Sequence, residues 1–343
     1  MPVKPSAPTL NDVAKAAGVS TATVSRFINS PDQLTDRTRQ KVKVAVKELG
    51  YSPNFGARVM AAKRTNTIGA IIPTMENAIF ARGLQAFQEE LRQKGYTLLV
   101  ASSSYRTDIE EEQIRSLVSR GADGLLLIGH ERTPASRRFL EAQGVPALVA
   151  WTYDAAAALP SIGFDNRSSM RALVEDVITM GHRRLAVISA ATEANDRARL
   201  RVLGVRDAMT AAGLEAKTLP IFETSYSVDA GASAFEQLMR GTERPTAVIC
   251  GNDVLAVGAM KQARALGLSV PRDVSVTGFD DIELATIVEP ALTTVHVPHR
   301  EMGARAARML VDIVEGKSSG RALELDTTIR LRGSLAPPAE PSD

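Results

Sequence analysis

Short apolar runs that alternate with longer helical segments constrain the fold of this chain most strongly. Eight runs rich in Ile, Val and Leu occupy residues 68–73, 96–102, 123–129, 146–151, 184–190, 218–222, 246–251 and 274–279. Near-continuous apolar strands alternating with helices are typical of parallel sheets that are covered on both faces. Because residues 152–166 separate two series of four, we predict two doubly wound α/β subdomains, at roughly 67–164 and 165–296.

Ligands of open α/β sheets bind beyond the carboxyl ends of the strands. In this chain those ends carry polar or aromatic groups at residues 73–77, Trp151, Asn252-Asp253 and Asp280-Asp281. Two such sheets facing each other would enclose a cleft lined by these groups. A segment with crossovers, 297–335, follows the second series, and the Pro-rich tail 336–343 is predicted to be disordered.

Composition excludes several classes of protein. Hydrophobic residues make up 44% and charged residues 23% of the 343 positions, as in ordinary globular proteins. One cysteine, Cys250, cannot form an intramolecular disulfide, and with only four histidines we expect neither a metal site nor a cofactor. No apolar run approaches the roughly 18 residues of a membrane span, and the first residues lack the apolar core of a secretory signal. We therefore expect a cytoplasmic protein without membrane contact.

Charge is unevenly distributed along the chain. Residues 1–66 contain 11 Lys and Arg against 4 Asp and Glu, a net charge of +7, whereas the remainder has 30 against 35, a net charge of −5. A basic head on an acidic body indicates a polyanionic partner for the head. A basic terminus that is merely solvated remains an equally good interpretation of the charge alone.

Capping and turn residues in the head predict two short helices followed by a third. Thr9 can cap a helix at Leu10 to Ala17, with Asp12 completing a capping box. Gly18 permits a sharp turn, Ser20 can cap the second helix, and a third helix is predicted at about 36–49. These elements form a helix-turn-helix.

The second helix has two different faces. Thr23, Val24, Phe27 and Ile28 project inward, whereas small polar groups and one arginine project outward: Thr21, Ala22, Ser25, Arg26 and Asn29. This outward face suits a major groove about 12 Å wide, in which Arg bridges guanine O6 and N7. The face pattern alone also fits a solvated helix of an ordinary three-helix bundle.

The segments TLNDVAKAAGVSTATVSRFIN and TRQKVKVAVKELGYSPNFGARVM resemble the lactose-repressor (LacI/GalR) family of bacterial transcription regulators. The similarity continues through GHRRLAVI, RPTAVICGNDVLAVGAM, LGLSVPRDVSVTGFDD and PALTTVHVP, and covers all of the chain except the tail. It implies a helix-turn-helix domain at 1–52, a hinge helix and linker at 53–66, and an effector-binding and dimerisation domain at 67–335. The last would resemble periplasmic sugar-binding proteins in fold.

The resemblance also implies which residues contact DNA. Thr21, Ala22 and Arg26 take the positions that read base edges, although Ala22 departs from the longer polar residue of some members. Met60 takes the place of a leucine that enters the minor groove, where an apolar wedge unstacks a base step. The full implied set is Thr9, Ser20, Thr21, Ala22, Thr23, Ser25, Arg26, Asn29, Asn54, Arg58 and Met60.

A second set of residues matches the family's effector cleft. It comprises Asn77, Phe80, Trp151, Asn195, Arg201, Tyr226, Asn252 and Asp280, with Asp196 and Arg197 extending the rim. Arg, Asn and Asp outnumber base-stacking pairs, so a sugar or a sugar acid such as gluconate is preferred to a purine. The resemblance therefore implies a homodimer or higher oligomer that binds an inverted-repeat operator, acts as a repressor and responds to an inducer.

An enzyme and a ligand carrier are the competing interpretations. Asp280 and Asp281 are adjacent, so on extended chain they point apart and cannot act as one acid/base pair. The sequence has no phosphate-binding, zinc-protease or nucleophile-elbow motif. A periplasmic carrier would need a secretory signal and has no use for a basic head.

Overall fold

The computed structural model describes residues 7–52, 64–241 and 243–339, and within the second helix it leaves the side chain of Asn29 undescribed. The chain divides into two compact units, Met1–Thr65 and Asn66–Asp343. The first is the predicted helical head and the second is the predicted α/β body.

The head consists of α1 (Leu10–Ala17), α2 (Thr21–Asn29), a 3₁₀ turn (Pro31–Gln33) and α3 (Asp36–Leu49). The capping box forms as predicted, since the Thr9 hydroxyl accepts from the Asp12 N–H and the Asp12 carboxylate accepts from the Thr9 N–H. Gly18 follows α1 in the left-handed region, at φ +63°. A small core closes the unit, built from Val13, Ala14, Ala17, Val24, Val42 and Ala45.

The described residues of the body form two six-stranded sheets. The strands are β1 (Thr67–Ile72), β2 (Thr97–Ser102), β3 (Gly124–Ile128), β4 (Ala147–Ala150), β5 (Ser161–Gly163), β6 (Leu185–Ser189), β7 (Ile221–Glu223), β8 (Ala247–Cys250), β9 (Ser275–Asp280), β10 (Thr293–His296), β11 (Leu323–Glu324) and β12 (Thr328–Arg330). The first sheet has the order β11-β5-β4-β3-β1-β2 and is parallel throughout. The second has the order β12-β10-β9-β8-β6-β7 and is parallel except for β12.

Helices cover both sheets. They are α4 (Ala78–Gln93), α5 (Thr107–Ser119), α6 (Pro134–Gln143), α7 (Asn166–Thr179), α8 (Asp196–Ala211), α9 (Val228–Met239), α10 (Asp253–Ala265), α11 (Leu284–Ile287) and α12 (His299–Val314). α12 returns to the first sheet and packs on α4, where a Cβ at Gly303 would lie 2.0 Å from the Gly83 carbonyl oxygen. The absence of a side chain at Gly303 therefore permits the close approach of the two helices.

All eight predicted strands are present, and the doubly wound fold class is confirmed. The strand predicted at 218–222 begins later, at Ile221, because a 3₁₀ turn occupies Ala216–Thr218. The four strands that the sequence did not indicate, β5, β10, β11 and β12, are only two to four residues long. Such short elements carry little periodic signal.

The chain passes between the sheets three times, after β5, after β10 and between β11 and β12. Of the tail predicted to be disordered at 336–343, residues 340–343 lie outside the described ranges, and Ala336 is bonded to the body. Its carbonyl accepts from the His182 ring and from the Ser275 hydroxyl. Within the described ranges, no helix is both long enough and apolar enough to cross a bilayer.

Candidate DNA-reading face and effector cleft

The outward face of α2 has the exposure that the sequence predicts. Thr21, Ala22 and Arg26 are exposed, Ser25 is half-buried, and Val24 on the opposite side is fully buried. Arg26 therefore presents a guanidinium beside two small residues on a rigid helix, an arrangement that matches a base edge in a major groove.

Two residues predicted to contact DNA, Thr9 and Ser20, also cap helices within the head. The Ser20 hydroxyl accepts from the Thr23 N–H and lies 2.9 Å from the Thr23 hydroxyl, and Thr9 caps α1. The Thr9 hydroxyl also donates to the Asp12 Oδ2 at 2.7 Å, so within the head it is already engaged as donor and acceptor. Asn54, Arg58 and Met60 lie outside the described residues, as does the side chain of Asn29.

The strand ends of the body meet at one buried pocket. Seven of the eight predicted effector residues line it, together with Ile79, Tyr105 and Arg197; the seven are Phe80, Trp151, Asn195, Arg201, Tyr226, Asn252 and Asp280. The eighth, Asn77, lines an adjoining chamber that shares Tyr105, Asn195 and Tyr226 with this pocket. The structure thus brings together residues that are up to 203 positions apart in sequence, from Asn77 to Asp280.

Arg201 is fixed in the pocket by several contacts. Its Nε donates to the Asn166 Oδ1 at 2.9 Å, and its Nη1 donates to the Gly251 carbonyl at 2.6 Å. The guanidinium also lies 3.9 Å from the ring centre of Phe279, a cation–π contact. A rigid guanidinium of this kind suits a hydroxyl pair or a carboxylate.

Asp280 lies opposite this guanidinium, with Oδ1 3.8 Å from the Arg201 Nη2. It is 1% exposed, and neither carboxylate oxygen has a hydrogen-bond partner among the described residues. Burial raises the pKa of Asp280 to about 6, against the opposing effect of Arg201 and Arg197. An acceptor that is buried and left without donors indicates a site for a ligand that supplies them.

His299 lies against two residues of the pocket, Asp280 and Trp151. Its Nε2 lies 3.8 Å from the Asp280 Oδ1, and its ring stacks on Trp151 with centroids 6.4 Å apart. Burial lowers the pKa of His299 to about 3, so this histidine is neutral beside the carboxyl group at physiological pH.

Backbone strain is concentrated at the same pocket. Trp151 and Asp280 have backbone φ values of +63° and +104°, which residues other than glycine rarely adopt. The Asn166 Nδ2 donates to the Trp151 carbonyl oxygen at 3.1 Å. The Trp151 Nε1 is buried without a hydrogen-bond partner among the described residues. Strained residues of this kind cluster at functional sites.

The pocket itself is narrow and the chamber outside it is wide. The pocket has a volume of about 10 Å³, room for roughly one water, whereas the chamber has about 950 Å³. Tyr105 and Tyr226 lie between them with ring centroids 5.6 Å apart. The chamber is lined by hydroxyl, amide and carboxylate groups, among them Thr74, Ser102, Thr224, Glu76 and Glu223.

Besides the apolar Ile79, three residues of this site with hydrogen-bonding side chains were not predicted from the sequence: Tyr105, Asn166 and His299. Tyr105 follows β2 and could have been found by the same strand-end rule. His299 follows the unpredicted strand β10, and Asn166 begins α7, so neither carried a signal.

The predicted rim residues connect the two halves of the cleft. Asp196 Oδ2 accepts from the His130 N–H at 2.6 Å, and its Oδ1 accepts from the Arg197 guanidinium at 2.9 Å. Burial raises the pKa of Asp196, but Arg197 and the His130 N–H outweigh it, so the net shift is downward. Across the described part of the chain, no cluster of side chains could hold a metal ion.

Comparison with known proteins decides the family. Residues 9–54 match the family of bacterial regulatory proteins named for lacI, and residues 174–335 match the periplasmic binding protein-like domain. The HTH-type transcriptional regulator GntR of Escherichia coli (strain K12) is 31% identical over 334 residues, which cover 97% of this chain and 100% of GntR. The chain belongs to the lacI family. It is thus a DNA-binding transcription regulator with a helix-turn-helix head.

Solved structures of lacI-family proteins agree with this assignment. The Lac repressor dimer bound to operator and the anti-inducer ONPF has a TM-score of 0.86 and 27% identity, covering 96% of this chain and 100% of that one. The regulator CelR in complex with cellobiose has a TM-score of 0.70 and 31% identity, covering 95% and 99%. The family consists of regulatory DNA-binding proteins, which favours neither the enzyme nor the carrier interpretation.

Proposed function

We propose that this lacI-family protein is a homodimeric repressor that binds an inverted-repeat operator and is released by a sugar or sugar acid bound in the cleft of its body. The buried carboxylate of Asp280 carries the proposal: it faces Arg201 among residues from both sheets and accepts no hydrogen bond from the residues that the structure describes.

The DNA-binding part of the proposal rests on α2 and on charge. Each head offers one exposed guanidinium, Arg26, on a face otherwise made of small groups. Two heads presented by a dimer would read two half-sites about one helical turn apart, as helix-turn-helix dimers do. The Lac repressor, a relative of high structural similarity, is described as a dimer on its operator.

The effector part rests on the chemistry of the cleft. Arg201 donates and Asp280 accepts. The oxygens of three side-chain amides cap α4, α8 and α10, which leaves their N–H groups as donors: Asn77, Asn195 and Asn252. Such a mixed set matches the hydroxyls of a polyol, and a carboxylate could pair with Arg201 or Arg197. The structure of CelR is a complex with cellobiose, which supports a sugar as the class of effector.

Coupling between cleft and operator follows from where the effector contacts the protein. A ligand that bridges Asp280 of the second sheet and Phe80 beside the first would bias the relative arrangement of the two sheets. Because such coupling is reciprocal, operator DNA should weaken the binding of an inducer by the same factor by which the inducer weakens operator binding.

The identity of the effector is tested by a thermal-shift screen of the full-length protein. Gluconate, galacturonate, glucose, cellobiose, hypoxanthine and adenine form a suitable set. We expect a sugar or sugar acid to raise the melting temperature, by the linkage of binding to folding. The Asp280→Asn variant should lose this shift, and the neighbouring Asp281→Asn variant should keep it because Asp281 pairs with Arg332 and His296 instead. A response to nucleobases alone, or an equal response from both variants, would contradict the proposal.

A further inference from the structure

A second cavity lies beside the first sheet, apart from the cleft. It has a volume of about 590 Å³, within the range of small-molecule sites, and shares no lining residue with the pocket or the chamber. Its walls are largely apolar, with Leu140 on α6, Leu159 and Pro160 before β5, and Ile313 on α12. These walls offer little to a polyol and favour a hydrocarbon body.

One end of this cavity is polar and carries unused hydrogen-bond donors. Arg132 is 7% exposed; its Nη2 donates to the Gly129 carbonyl at 2.8 Å and lies 3.4 Å from Glu110, but its Nε has no partner among the described residues. The His130 Nε2 is likewise buried without a partner in the described part of the chain. Burial lowers the pKa of His130, so the ring is neutral and its Nε2 donates in the tautomer that carries the proton there. Both residues line the cavity.

Arg137 adds a positive charge at the rim of the same end. It is exposed, and its Nη2 donates to the His130 carbonyl over a long distance of 3.4 Å. The lining has two acidic residues: Asp154, which already accepts from the Ala156 N–H, and Glu141, which is exposed on α6. The buried groups of this lining without partners among the described residues are the Arg132 Nε and the His130 Nε2, and as donors they favour an anionic acceptor.

We propose that this cavity is a second ligand site, for a small carboxylate with an aromatic or branched hydrocarbon body. The carboxylate lies at Arg137, His130 and Arg132, and the hydrocarbon body fills the space between Leu140, Leu159 and Ile313.

The site is connected to the cleft through one short loop. His130 lines the cavity, and its backbone N–H donates to Asp196 at the start of α8, the helix that carries Arg201. The next residue, Glu131, pairs with Arg199 on that helix. A Cβ at Gly129 would lie 1.8 Å from the Arg197 Nη1, so the loop is packed closely on α8. A ligand that orders this loop therefore changes affinity in the cleft, a consequence that rests on the proposed function.

Calorimetric titration of the full-length protein with 1-naphthaleneacetate tests the site, and 1-naphthaleneacetamide serves as the uncharged probe of equal shape. We expect one acetate bound per chain and at least about tenfold weaker binding of the amide, since a charge-assisted hydrogen bond is lost. Arg137→Gln should weaken acetate binding about tenfold, and the adjacent Arg138→Gln, which does not line the cavity, should leave it unchanged.

A cavity-filling pair locates the probe independently of charge. Ala157→Phe should abolish binding because Ala157 lines the cavity, whereas Ala156→Phe, one residue earlier and outside the lining, should not. Absence of saturable binding, or equal affinities of the two phenylalanine variants, would overturn the proposed site. Neither measurement requires operator DNA or the cleft effector, so failure here is distinguishable from failure of the proposed function.

Hydrogen exchange read by mass spectrometry tests the connection to the cleft. With 1-naphthaleneacetate bound, peptides covering 129–133 and 196–201 should exchange more slowly in the wild type and in Ala156→Phe, but not in Ala157→Phe. Protection confined to 129–133 would refute the coupling, and protection confined to residues of the cleft would refute the site itself.

Discussion

Replacing Asp280 by asparagine should stabilise the body at neutral pH while it damages the effector site. The carboxyl group is buried and accepts no hydrogen bond within the described structure, so its ionised form is poorly accommodated. Burial raises its pKa to about 6, whereas 3.8 is the ordinary value that the unfolded chain retains. This difference corresponds to about 3 kcal/mol of lost stability when the group is ionised in both states.

The pH dependence has a definite sign. Below about pH 4 the carboxyl group is neutral in both the folded and the unfolded chain, and the wild type and Asp280→Asn should be equally stable. As pH rises from about 4 to 6, the unfolded chain ionises first and the wild type loses stability. Above about pH 6 the loss is complete, and the variant should exceed the wild type by about 3 kcal/mol.

Urea unfolding measures this difference. The chain's one tryptophan, Trp151, is buried 5.4 Å from Phe80 and reports on the body. Asp281→Asn is the control, because its carboxylate pairs with Arg332 and His296 and its pKa is lowered despite partial burial, so this variant should lose stability at pH 7.5. If Asp280→Asn were no more stable than the wild type at pH 7.5, Arg201 would be stabilising the ionised carboxylate, and the argument from burial would be wrong.

Three further predictions concern the head and the cleft. Arg26→Ala should weaken binding to the selected operator by about 1–3 kcal/mol in a fluorescence anisotropy titration, because a base contact is lost. The control variant Arg37→Ala, at an exposed position of α3, should not weaken operator binding by this amount. Equal losses on random DNA would show that Arg26 contacts phosphate. Thr9→Ala should lower the unfolding free energy of the head by about 1 kcal/mol in a denaturation measurement, and addition of Asp12→Ala should cost little more because both belong to one capping box; fully additive losses would argue against the box. Arg201→Ala should destabilise the body by about 2–3 kcal/mol in the urea assay, since the Asn166 and Gly251 oxygens lose their donor; an unchanged midpoint would contradict this role.

The head and the main strands could be predicted from sequence because their signals are local. Thr9, Asp12, Gly18 and Ser20 each specify a cap or turn within three residues, and the apolar runs specify buried parallel strands. The eight cleft residues were predicted by matching strand ends to a known family. Such a match is weaker evidence than a capping motif, whose residues interact directly with each other.

Features that depend on long-range packing could not be predicted in this way. His299 reaches Asp280 only because α12 returns to the first sheet after β10, and the Gly83–Gly303 contact sets how closely it returns. The bond from the His130 N–H to Asp196 joins two segments 66 residues apart. Neither relation has a periodic or compositional signature along the chain.

Selective DNA binding by the head and its control by Asp280 in the cleft can be measured in one experiment. A labelled operator, selected from genomic fragments, is titrated by fluorescence anisotropy with and without the sugar or sugar acid found in the thermal-shift screen. We expect the effector to weaken operator binding by the wild type and by Asp281→Asn, but not by Asp280→Asn. An effector response that persists in Asp280→Asn would show that Asp280 does not control DNA binding.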